Sequence, residues 1–185
     1  MQSGIVLNHV SFQYPGGARK ALEDISFTIR QGEVVALVGE NGSGKTTLIK
    51  LLCRLYDPTG GTITVDGIDL RQFETKALRH EIAIIFQDYA HYHLTARENI
   101  WFGNTALPPD HERVIAAARH SGADDVISAL PHGYETILGK WFEDGEELSI
   151  GEWQKVALAR AFMRDAQIIV LDEPTSSMDA KAEYD

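Results

Sequence analysis

The sequence predicts an α/β fold, and three observations predict it. The β-branched run EVVALV at 33–38 passes directly into the glycine-rich turn GENGSGKTT at 39–47. TTLIKLLCRLY then carries apolar residues at helical spacing, so strand, loop and helix are contiguous. Two further apolar runs of strand length, EIAIIF at 81–86 and QIIVLDEP at 167–174, enclose a mostly helical stretch.

Taken in order, residues 5–10 and 24–29 read as short strands separated by YPGGARK, where Pro15, Gly16 and Gly17 punctuate the chain. EVVALV is continuously apolar, as expected of a parallel strand covered on both faces. Leu48, Leu51, Leu52 and Leu55 define the apolar face of the next helix, which DPTGG at 57–61 ends. Thr95 and Glu98 in TARENI have the spacing of a helix-starting capping box, and HERVIAAARH at 111–120 is alanine-rich and helically periodic. Residues 88 to 160 therefore read as a helical lobe inserted into an α/β core. No long Pro/Ser-rich segment separates the parts.

A length of 185 residues fits one domain, or a core with a small appended lobe. With 44% hydrophobic and 24% charged residues, the composition is that of a soluble globular protein. No apolar stretch approaches the roughly 18–20 residues needed to span a bilayer. The net charge of −10 disfavours broad attraction to nucleic acid or anionic lipid, so any phosphate site must be local. The single cysteine, Cys53, sits in LIKLLCRLY as a small core residue and cannot form an internal disulfide. MQSGIVLNHV lacks the basic and long apolar regions of a signal peptide.

Gly39, four residues, then Gly44-Lys45-Thr46 satisfies the phosphate-loop pattern G-x-x-x-x-G-K-[ST]. The glycines let backbone N–H groups wrap around phosphates, Lys45 neutralises the terminal ones, and Thr46 offers a hydroxyl to Mg²⁺. The positive end of the following helix points at the same place. The stretch expected to bind a nucleoside triphosphate comprises Gly39, Asn41, Gly42, Ser43, Gly44, Lys45, Thr46 and Thr47. In QIIVLDEP, Asp172 would hold Mg²⁺ through its water shell and Glu173 would polarise the attacking water. By themselves the two acids could be surface residues before a proline turn; with the phosphate loop they complete a site.

This combination resembles the nucleotide-binding domain of ATP-binding cassette (ABC) proteins along nearly the whole chain. Besides GENGSGKTT and IIVLDEP, the sequence holds IIFQD, LSIGEWQKVALARA at 148–161 and SSMD at 176–179, in the family's order and spacing. The resemblance implies a P-loop NTPase (RecA-like) α/β core with an N-terminal antiparallel β subdomain, residues 1–87 and 161–185 forming these parts. Residues 88–160 would be the α-helical subdomain with the signature. It further implies that Gln87 contacts Mg²⁺ and the attacking water and couples the site to a transmembrane partner. Asp179 would lie in a loop crossing the dimer interface, and Tyr14 in FQYPGG would stack on adenine. A strand-edge tyrosine packed on the core is the plainer reading of Tyr14.

LSIGE departs from the family's usual LSGGQ at Ile150 and Glu152. Ser149 and Glu152 themselves have capping-box spacing, starting a helix whose exposed N–H groups form an anion site. In the family that end faces ATP held by the opposite subunit, which makes Ser149 and Gly151 the candidates for γ-phosphate contacts. Glu152 brings a carboxylate to the same surface and reads as the cap's partner.

YDPTGGTITVDGIDLR, HLTARENIWFG and LPHGYET resemble the exporter branch. That resemblance implies an ATP-hydrolysing motor domain that pairs with a second nucleotide-binding domain at the cytoplasmic face of a membrane, as part of a transporter. The transmembrane domain is absent from this chain, and nucleic acid is not an expected partner. Glu143, Asp144 and Glu146 would face the membrane domain, although a solvated acidic loop has the same composition. A soluble ABC ATPase acting on nucleic acid or ribosomes, and a binding-only cassette, are the alternatives. The family's switch histidine follows the SSMD loop, whereas the last histidine here is His132. The expectation is therefore a domain whose C-terminal part is missing and whose hydrolysis is weak as it stands. His91 and His93 in DYAHYHLTA are, as a pair alone, weak evidence for a metal.

Overall fold

The computed structural model describes residues 4–86, 88–141 and 144–172, and the chain divides into two compact units, 1–82 and 83–185. In the first unit, β1 (Ile5–Phe12) pairs antiparallel with β2 (Leu22–Ile29), Ile5 facing Ile29. After α1 (Lys45–Leu52) comes β3 (Gly60–Val65), antiparallel to β1, and then β4 (Ile68–Asp69). The sheet order is β2-β1-β3-β4, and α2 (Thr75–His80) follows it in the chain.

The alternation along β1 changes phase midway. Ile5 and Leu7 are buried, then Val10 and Phe12, with the register shifting on both neighbouring strands between them. His9 takes φ 51° at the shift. A bulge of this kind restores the apolar side chains to the core face that a strict two-residue period would have turned outward.

Along α1, Leu48, Ile49, Leu51 and Leu52 are buried. The helix ends at Cys53, and Arg54 turns to φ 49°, so Leu55 lies past the helix and is exposed rather than on its apolar face. Burial pushes the Cys53 thiol up to about 11, which leaves it protonated and inert as a nucleophile.

The run EVVALV does not form the covered strand its composition predicts. Residues 33–38 join no ladder among the described residues, and Val34 and Val38 are 97% and 94% exposed. An apolar run becomes a buried parallel strand only with paired edges and layers on both faces. The four-stranded sheet of this unit completes its ladders without it.

The second unit opens with β5 (Ile82–Ile85), which begins at the boundary. Then follow α3 (Ala96–Trp101), α4 (His111–Ser121) and α5 (Ala123–Ser128). The short strands β6 (Ile137–Leu138) and β7 (Gly145–Glu146) pair in parallel ahead of α6 (Ile150–Phe162). Last comes β8 (Ile168–Leu171), hydrogen-bonded beside β5. Thr95 starts α3 with the capping box its spacing predicts, and Asp110 caps α4 through the Glu112 N–H.

Ile100, Val114, Ala118, Ile127, Trp153 and Val156 build the core of these helices. Gly103 lets the chain after α3 run against the backbone of α6: a Cβ there would come within 1.9 Å of the Arg160 carbonyl oxygen. Asn99 is fully buried, yet its amide is satisfied, donating to the carbonyls of Tyr92, Leu94 and Thr95 and accepting from Arg160.

Candidate functional site: the phosphate loop and the signature helix

The phosphate loop lies in the first unit and is assembled by glycine. Gly42 and Gly44 take φ 84° and 99°, a region that residues with a Cβ rarely adopt. Gly44 is the N-cap of α1, with its carbonyl receiving the Leu48 N–H. At Gly39 an added Cβ would lie 2.7 Å from the Ser43 hydroxyl. The Lys45 ammonium folds back over the loop and donates to the carbonyls of Gly39, at 2.7 Å, and Glu40, at 3.1 Å. A cation held above a curved backbone at a helix start is the arrangement a polyphosphate needs. Asn41 and the Thr46 side of the helix start are exposed, while Thr47 is buried.

Tyr14 stands beside this loop. Its hydroxyl lies 3.1 Å from the Thr47 hydroxyl, and the Lys50 ammonium sits 5.9 Å over its ring. Phe12 and Tyr56 meet the same ring edge-on, at 4.9 and 5.3 Å. Tyr56 was not legible as part of this cluster, because the DPTGG turn that brings it back toward β1 carries no aromatic signal.

In the second unit Asp172 follows β8 and is 6% exposed; its backbone N–H donates to the Ile85 carbonyl at 2.9 Å. Ser149 is the N-cap of α6. The Ser149 N–H donates to Glu152 Oε2 at 2.7 Å, and the Glu152 N–H donates back to Ser149 Oγ at 3.4 Å. The Ser149 backbone N–H, then its hydroxyl, hold the Glu152 carboxyl below the usual carboxylate range. Glu152 is thus committed to the cap. Ile150 is 62% exposed, and Gly151 has open space around its Cα.

This cap sets an expected outcome. Glu152→Ala should cost about 1 kcal/mol, whereas Glu152→Gln, which preserves the box, should cost only a few tenths. Because the folded-state pKa is lowered, the contribution is full above the ordinary value of 4.5 and is lost as pH falls through the folded value. Urea denaturation at neutral and acidic pH checks this: the gap between wild type and Glu152→Ala should close in acid.

Residues 22–176 match the family described as ABC transporter. The chain belongs to the ABC transporter family. This ABC transporter domain is 42% identical over 183 residues to a β-(1→2)glucan export ATP-binding/permease protein of Brucella suis biovar 1 (strain 1330), covering 99% of the chain and 30% of that protein. It is 40% identical to a subtilin transport ATP-binding protein of Bacillus subtilis, over 97% of the chain and 29% of the relative. An ATP-dependent lipid A-core flippase of Burkholderia pseudomallei (strain 1710b) is 41% identical with the same coverage. The chain thus spans about three tenths of the length of these relatives. Among solved structures, a bacterial Atm1-family ABC exporter with ATP bound superposes with a TM-score of 0.86 at 35% identity, covering 98% of this chain and 31% of that one. The P-loop NTPase fold of the ABC transporter domain agrees with the sequence reading.

Of the site residues expected in this ABC transporter domain, Gln87, Glu143, Glu173 and Asp179 lie outside the described residues. Asp144 is exposed and Glu146 sits in β7. His91 and His93 do not converge on a metal: each stacks on a different tryptophan, and among the described residues no cluster of three or more metal-binding side chains occurs.

Sequence reasoning missed one polar cross-link. Arg160 of α6 donates to the Asn99 carbonyl at 2.9 Å, the Asn99 amide oxygen at 3.2 Å and the Ala90 carbonyl at 3.1 Å. Its guanidinium also lies 4.7 Å from the Tyr92 ring, and burial pulls its pKa below the usual arginine value. An asparagine inside the apolar helical stretch ENIW was the available signal, since a buried amide must find partners.

Proposed function

We propose that this chain is the ATP-binding and ATP-hydrolysing motor domain of an ABC exporter, working at the cytoplasmic face of a membrane. The observation that carries the reading is Lys45 seated on the carbonyls of its own phosphate loop. The loop N–H groups and the start of α1 receive the phosphates, and Lys45 exchanges its carbonyl partners for phosphate oxygens. Tyr14 takes the adenine on its ring. Thr46, Gln87 and Asp172 would hold Mg²⁺, which when bound neutralises developing charge between the phosphate groups. The exposed hydroxyl of Thr46 at the helix start and the strand-end carboxylate of Asp172 are oxygen donors of the type that ion prefers. Glu173 accepts the proton of the attacking water, which Gln87 orients.

A second copy, or a related domain, would complete each site. Its Ser149 and Gly151 would present the N-terminal N–H groups of α6 to the γ-phosphate, with Glu152 fixing the cap and Asp179 lying at the interface. A cavity of about 280 Å³ in the second unit, lined by Phe86, Tyr89, Tyr92, Phe102 and Arg160 among others, is where a segment of the transmembrane partner would seat. The net charge of −10 weighs against a nucleic-acid partner.

Glu173→Gln should trap an ATP-bound dimer, because it removes the base while leaving nucleotide binding intact. Size-exclusion chromatography with and without Mg-ATP checks this. A chain that stays monomeric at high protein and ATP concentrations would count against the sandwich.

A further inference from the structure

The segment that follows Gln87 lies along one stripe of α6. The Tyr89 hydroxyl donates to the Ile150 carbonyl at 3.2 Å, and the His91 ring stacks flat on Trp153, with centroids 4.2 Å apart and planes within 2°. Farther along, Arg160 reaches the Ala90 carbonyl and the Tyr92 ring. Positions 150, 153 and 160 follow the i, i+3, i+10 spacing of a single helix face. Trp153 is itself fixed: it is 2% exposed, and its indole N–H donates to Glu147 Oε1 at 3.3 Å.

His91 is the one member of this seam that is both exposed and able to change charge near neutral pH. We propose that His91 is a positioning residue for the ATPase reaction: its stack on Trp153 seats the segment after Gln87 against the first turns of the signature helix, and protonating the imidazole loosens that seat. The segment after Gln87, which serves this chain's own nucleotide, and the signature helix, which serves the nucleotide of the opposite copy, are thereby joined through one ring pair. This rests on the reading of the chain as an ABC motor, but the ring pair itself can be tested without nucleotide.

The groups facing His91 set the sign. Burial against Trp153 holds the imidazole below the ordinary histidine value; Glu147 pulls it upward, and Arg160 and His93 push it down. The Tyr89 ring, 5.3 Å away, is kept neutral by burial that raises its own pKa. A base with a lowered folded-state pKa contributes fully above its ordinary value of 6.5, and that contribution is lost as pH falls below it.

Two measurements decide the matter. In the nucleotide-free chain, tryptophan emission followed from neutral to acidic pH should fall as the imidazolium forms against the Trp153 indole. The midpoint should lie below 6.5. His91→Phe, which keeps an aromatic ring on Trp153 but cannot titrate, should remove that component; His93→Phe, which alters the separate stack on Trp141, should leave it in place. In the full-length transporter, His91→Ala should lower ATP turnover about tenfold. His91→Phe should recover most of that loss and flatten the acid limb of the pH profile. If His91→Phe titrates like wild type in emission, the stack is not the sensor and the proposal fails. If His91→Ala turns over like wild type at every pH, His91 positions nothing. A wild-type transporter with no ATPase activity would overturn the motor reading instead, with the emission result still judging the ring pair.

Discussion

Replacing Lys45 with alanine is expected to lower ATP hydrolysis by about 10²- to 10³-fold, the loss usual when a preorganised donor to developing charge is removed. The ammonium is already in place over the loop, 2.7 Å from the Gly39 carbonyl, so the folded chain presents it with little reorganisation. Lys45→Arg should not rescue turnover, because a planar fork does not reproduce the compact charge of an ammonium above a tight backbone turn. Phosphate-release assays on wild type and both variants, with nucleotide titration alongside, check this. Wild-type turnover in Lys45→Ala would mean that the phosphate loop is not where the chain handles ATP.

The second large effect concerns stability. Trp153→Ala should cost about 3–5 kcal/mol, since it empties a fully enclosed site in the helical core and strands the Glu147 contact and the His91 ring together. Against a typical total stability of about 5–15 kcal/mol, that is a large fraction of what holds the chain folded. Urea denaturation followed by far-UV circular dichroism should show a much lower midpoint, with Trp153→Phe intermediate. An unchanged midpoint would mean that α6 is held by its neighbours without the indole.

Which parts of this molecule were readable follows from which interactions are local. The capping boxes at Thr95 and Ser149 were legible because both partners sit within one turn, and the structure contains both. The geometry of the glycine turn at 39–47 was legible because its glycines and lysine act within a few residues of one another. EVVALV was misread because a strand needs partners that its own residues cannot specify, and here residues 33–38 join no ladder among the described residues. The stack of His91 on Trp153 and the hold of Arg160 on Asn99 join residues 61 or 62 positions apart, beyond the reach of any periodic signal. Glu173, proposed as the general base, and Gln87 follow from motif order alone and lie outside the described residues.

The uncovered valines of residues 33–38 also bear on how copies of this chain behave toward one another in solution. An exposed β-branched run is a template on which a like segment can add, the route by which soluble proteins form sheet-like aggregates. Glu33 and Glu40 bracket the run with like charge, and the whole chain carries −10. Colloidal repulsion therefore guards a sticky strip, and salt, which shortens the reach of that repulsion to about 8 Å at physiological ionic strength, weakens the guard while leaving the strip intact.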